Sequence, residues 1–256
     1  MSAETRIAEF AARAGNTGFF PNISRAEVVQ GLRERVADPK KQDTSHVNLC
    51  GPAALLYCIL NDNPEAYVKY VIDLYNGGSG TLGTLNIRPG IGCRNCRPNP
   101  DKIEPVDWIA LASLRDSENT ILSYDSVDDG AGGITMPHTL ADWFTAAGYQ
   151  QIRNETNVFF TKGQSEIDAT YILRLQGRWV CLFINANMLY ADKNTNRSLS
   201  PNHWVVLTSP AGVNKGNIAI KVYSWGKIFT IPPQGTLPVD GFSRNFYGYV
   251  SAWFPH

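Results

Sequence analysis

The chain lacks any charge bias: its 256 residues carry 23 Lys and Arg against 23 Asp and Glu, a formal net charge of zero. No basic run is long enough to follow a phosphate backbone, so a nucleic-acid partner is not expected. Nor does any apolar run reach the roughly 18 residues of a membrane span, and no transmembrane segment is expected. The opening MSAETRIAEFAARAG is charged and amphipathic, without a signal-peptide core. Synthesis in the cytoplasm without a cleaved signal peptide is therefore expected. Cysteine is sparse and odd in number, at positions 50, 58, 93, 96 and 181, which excludes a fully paired disulfide scaffold. The glycine-rich GGSGTLGT is not followed by Gly-Lys-Ser/Thr, so it is not a phosphate loop and no nucleotide is expected there. Histidine occurs only four times, which leaves few candidates for a base.

What the sequence does contain is helix grammar first and strand grammar afterwards. Residues 4–14 and 25–37 read as helices, the second opened by the capping box Ser24 to Glu27. NLCGPAALLYCIL (48–60) predicts a helix starting at Cys50, with Pro52 in its first turn; it is apolar nearly all round and so buried. Asn63-Pro64 starts a helix to about Tyr75, and Pro105 starts another through VDWIALASL. The Gly- and Pro-rich segment between them, residues 76–104, reads as a loop too long for a plain connector. TLADWFTAAGY predicts a helix stopped by Gly148, and SEID (165–168) opens one that stops at Gly177. RWVCLFINA, HWVVLTS, NIAIKVYSW, KIFTIP and YGYVSAWF then read as successive strands. This order predicts an α+β fold with an antiparallel sheet in one domain, 1–256.

Cys50 is the residue whose placement asks for chemistry. A thiol attacks as thiolate, and the unpaired N–H groups and dipole of a helix N-terminus favour that anion. Cys58 and Cys181 lie in apolar runs and read as core. Among the histidines, His203 in SPNHWVVL starts a strongly β-prone strand, where one side chain can face a cleft while the rest anchors in the core. His46, His138 and His256 have ordinary surface contexts. Cys93 and Cys96, in CRNC, have the spacing of half a zinc site, but no second ligand pair accompanies them; a disulfide or two plain thiols is expected, and no metal.

Cys-Gly-Pro-Ala-Ala-Leu on a helix, a later His-Trp-Val-Val-Leu strand and a next strand ending Ser-Trp-Gly together resemble papain-like cysteine hydrolases, in particular the compact bacterial double-glycine-peptidase branch. The arrangement covers about residues 40–256, although the matching letters are confined to short segments. The resemblance implies a papain-like fold in which a central buried helix carrying Cys50 packs on a C-terminal antiparallel sheet. Residues 1–40 would then be an N-terminal helical extension and 76–104 a loop insertion. It implies Cys50 as nucleophile, His203 as base, and an upstream amide at the oxyanion, Gln42 with Asn48 in reserve. The residue orienting the histidine is Asn or Asp in that family. This chain departs from the pattern, offering Ser224 or Tyr223.

The reaction so implied is amide cleavage through an acyl-enzyme, on a peptide, protein or peptidoglycan peptide, with no cofactor. A glutamine deamidase or acyl transferase would use the same Cys-His pair, and an inactive papain-like binding module is the third alternative. PVDWIALASLRDSEN also resembles stretches of bacterial polymorphic-toxin and secretion-effector proteins. That resemblance implies a toxin delivered by a dedicated secretion system, with an immunity protein or the secretion machinery as partner.

Overall fold

The computed structural model describes residues 1–15, 18–44, 47–118, 134–193, 200–210 and 212–255. It is α+β, and its chain groups into two compact units, Met1–Gly133 with Ala146–Gly148 and Ile134–Thr145 with Tyr149–His256. No described helix is long and apolar enough to cross a membrane.

The first unit is mainly helical. It contains α1 (Ala3–Ala12), α2 (Arg25–Ala37), a 3₁₀ turn (Pro39–Lys41), α3 (Cys50–Asp62) and α4 (Pro64–Gly77). Ser24 and Glu27 close a reciprocal box at the start of α2, satisfying amides that the helix leaves open. Pro64 sits in the first turn of α4, where its missing N–H costs nothing, and Asn63 caps that turn through Ala66 N. From Gly51 to Leu60 every residue of α3 is buried, as an all-round apolar helix requires.

The segment read as a long loop is structured. It folds into a hairpin, β1 (Gly80–Leu82) with β2 (Leu85–Ile87), and a short helix, α5 (Ile91–Asn95). Leu82, Ile87, Cys93 and Ile103 are buried. Three-residue strands are too short to show an alternation, so the Gly and Pro content dominated the sequence pattern. The helix started by Pro105 is also less regular than expected. It runs as α6 (Pro105–Asp107), a π-type stretch (Trp108–Ala112) and α7 (Ser113–Glu118).

A buried ion pair ties α2 to α6. Arg35 donates from Nε to Asp107 Oδ1 at 3.1 Å and from Nη2 to Oδ2 at 2.6 Å, and both side chains are sealed from solvent. Gly31, one turn earlier on the same face of α2, makes room for it: a Cβ there would stand 2.4 Å from Val106 Cγ1. Burial raises the Asp107 carboxyl's pKa against the pull of Arg35 and of the backbone N–H of Asp43. The pair therefore holds Asp43, the residue after Gln42, as well as two helices.

The second unit begins with α8 (Pro137–Ala146, all but its last residue) and carries α9 (Gln164–Leu175) and an eight-stranded sheet. The strands are β3 (Gln150–Asn154), β4 (Trp179–Ile184), β5 (His203–Leu207), β6 (Gly212–Asn214), β7 (Asn217–Ser224), β8 (Lys227–Ile231), β9 (Leu237–Pro238) and β10 (Phe246–Trp253); α10 (Val239–Ser243) lies between the last two. Their order is β3-β10-β4-β5-β7-β6, with β8 and β9 also pairing with β7, every pair antiparallel. The cap of α9 falls earlier than SEID suggests: the helix starts at Gln164, and Glu166 accepts from Gly163 N. One face of the sheet packs Leu182, Ile184, Val205, Leu207, Ile220 and Val222 into a continuous core.

Removing one partner of a buried ion pair strands the other charge, at a cost of about 3–5 kcal/mol. Asp107→Ala is expected to lower the urea-unfolding free energy by that order. The double change Arg35→Met with Asp107→Leu, which leaves no buried charge, should recover most of the loss.

Candidate functional site

Cys50 opens α3 and is partly exposed, in contrast to the sealed Cys58, Cys93 and Cys181. The residue before it, Leu49, supplies no capping side chain, and Leu49 O accepts from Ala53 N at 2.9 Å. The helix N-terminus that carries the thiol is thus uncapped by Leu49, a setting that favours negative charge at the sulfur. Gln42 follows the Pro39–Lys41 turn, which packs against α3, and its side chain is buried. Asn48 is exposed. Both amides belong to the same unit as Cys50.

His203 and Ser224 belong to the other unit, and the sheet brings them together. The pairs Val206 with Tyr223 and Leu207 with Val222 fix the register of β5 on β7. Strand alternation then sets His203, Val205 and Leu207 on one face of β5, and Ile220, Val222 and Ser224 on the matching face of β7. The imidazole Nε2 lies 2.6 Å from Ser224 Oγ. Tyr223, the alternative orienter, points to the opposite face. When Nε2 carries the proton it donates to the serine oxygen, and Nδ1 is left as the proton acceptor. Among the described residues Nδ1 has no hydrogen bond.

Trp225 covers this pair. Its ring centroid is 4.6 Å from that of His203, and Tyr190 and Phe229 lie against its other sides at 6.0 and 5.7 Å. Trp225 and Gly226 form the two-residue turn between β7 and β8, closed by the Ser224–Lys227 pair, with φ of +47° and +74°. Two successive positive φ values define a type I′ hairpin turn, whose first position favours Asn, Asp or Gly. A tryptophan there is a backbone outlier. Sequence reasoning used Ser-Trp-Gly only as part of a resemblance; the signal it missed was a bulky residue in a two-residue turn.

His203 is only 4% exposed. Burial pushes its pKa down to about 3, because no nearby negative charge offsets the loss of solvation. The resting imidazole is therefore neutral throughout the physiological range.

The remaining candidates take no part in this geometry. His138 is exposed on α8, while His46 and His256 lie outside the described residues. Cys93 and Cys96 are thiols, and Trp108 Nε1 donates to Cys93 O at 2.9 Å. No cluster of three metal-ligating side chains occurs among the described residues.

The depressed pKa of His203 makes a stability prediction with a definite sign. Above pH 6.5 the residue is neutral folded and unfolded and contributes nothing to pH dependence. Between 6.5 and about 3 the unfolded chain takes up a proton that the folded chain refuses, so stability falls by about 1.4 kcal/mol per pH unit. From pH 6.5 to 5 this group alone costs about 2 kcal/mol. Urea unfolding of wild type and His203→Gln across that interval should show the variant's loss smaller by this amount; parallel losses would contradict the buried neutral imidazole.

Comparison of the chain with protein-family models, with curated proteins and with solved structures finds no match, so its fold class rests on its own elements and its chemistry on its own residues.

Proposed function

We propose that the protein is a cysteine-nucleophile hydrolase that cleaves an amide bond, with Cys50 as nucleophile and His203 as base, on a papain-like α+β frame. The observation that carries the reading is the Ser224 bond to Nε2 of His203, which commits one ring nitrogen to orientation and leaves the other to take a proton. The position of Cys50 at the start of a buried helix supports it from the other half of the chemistry.

In this reading the thiol proton passes to Nδ1 as sulfur attacks the carbonyl carbon. The backbone N–H of Cys50 and the side-chain amide of Gln42 donate to the oxyanion. Collapse expels the amine, which takes the proton back from the imidazolium, and water then releases the acid from the thioester by the same route. A thiolate beside the ring raises the histidine pKa and so opposes the burial that holds it down. The substrate is a peptide, protein or peptidoglycan peptide, and delivery as a bacterial effector toxin is part of the proposal.

One observation favours a second reading, an inactive papain-like binding module: the imidazole's partner is a hydroxyl, a weaker orienter than the carboxylate or amide of related sites. Reactivity separates the two. At pH 6 an ordinary thiol of pKa about 8.5 is only about 0.3% thiolate. Under the hydrolase reading, an iodoacetamide probe at pH 6 labels Cys50 at least tenfold faster than any other cysteine, and His203→Ala removes that advantage. Equal, slow labelling of Cys50 and Cys96 would leave the binding module. With a substrate in hand, a one-dalton gain without backbone cleavage would redirect the same residues to deamidation.

A further inference from the structure

A groove of about 580 Å³ lies on the first unit, along the end of α1 and the outer side of α2. Three arginines line it, Arg13, Arg25 and Arg33, with Val29 and Ala26 contributing apolar surface. None of the three is in an ion pair among the described residues. The acid on the lining, Glu34, is already held by Gln30, Arg35 and Lys41.

Arg25 is the unusual member. It is 8% exposed, its Nη1 donates to the backbone carbonyls of Arg13 and Ala14, and its guanidinium lies 5.3 Å over the ring of Phe10. Those contacts fix the side chain, yet its buried Nε has no acceptor. The guanidinium is thus a fixed positive charge on the groove lining with no carboxylate partner among the described residues. Arg13 and Arg33 are exposed and free to close on a second and a third negative group.

From this geometry we propose that the groove binds an acidic peptide segment of a partner protein, its carboxylates on the three guanidiniums and an apolar side chain on Val29. Guanidiniums pair with carboxylate and phosphate alike, so a glutamate and a phosphoserine peptide compared side by side identify which the groove takes.

Fluorescence anisotropy with a labelled Glu-Leu-Glu-Glu-Leu-Glu peptide at low salt tests this on the full chain. Saturable binding is expected, absent for the Gln-for-Glu peptide. Arg13→Glu with Arg33→Glu, both on exposed side chains, should weaken it at least tenfold. Lys40→Glu with Arg88→Glu, the same change in net charge outside the groove, should weaken it less than threefold. Absence of saturable binding, or equal weakening by the two double variants, overturns the proposal. So does a phosphoserine peptide that binds tenfold tighter than its glutamate counterpart, since the groove would then belong to phosphate.

Discussion

Strand register is the constraint on which the candidate base depends. Side chains alternate across a strand with a period of two, so a slip of one residue between β5 and β7 would carry Ser224 to the far side of the sheet from His203. What prevents the slip is burial. Val205, Leu207, Ile220 and Val222 share a face with the pair and fill one core; turning β7 over would take Ile220 and Val222 out of that core and put Ala219 and the exposed Lys221 in their place. The catalytic reading therefore leans on hydrophobic residues that never touch a reacting atom.

The first unit uses a different device. Its helices converge where Gly31 offers no side chain and Val106 fills the space, and the Arg35–Asp107 fork locks that approach. The carboxylate also holds the backbone at Asp43, next to the buried Gln42. Charges sealed from water are an expensive fastener, but a directional one: the fork is satisfied in one orientation of the two helices.

Much of this was legible in the residues. Capping residues at Ser24 and Asn63, the apolar run after Cys50, and the five β-rich runs after residue 178 each combine local preference with pattern, and each corresponds to an element. β3 escaped notice because its sequence, QQIRN, is almost wholly exposed and pairs with β10 along one edge, so no apolar alternation marks it. The hairpin at 80–87 was hidden by its brevity. Cys50 and His203 stood out as candidates by chemical type and position. Choosing Ser224 over Tyr223 needed the register, a long-range property that no local window contains. The sealing of His203, with its shift in basicity, comes from side chains gathered from several strands and is equally non-local.

The turn between β7 and β8 holds a compromise between assembly and purpose. Asn-Gly would relax the backbone at that corner and make the hairpin easier to form, but it would leave the imidazole without its aromatic roof. By keeping an indole where the main chain resists one, the protein concentrates conformational tension directly against the candidate base. The least comfortable residue of the sheet is thus also the one whose ring lies against the imidazole.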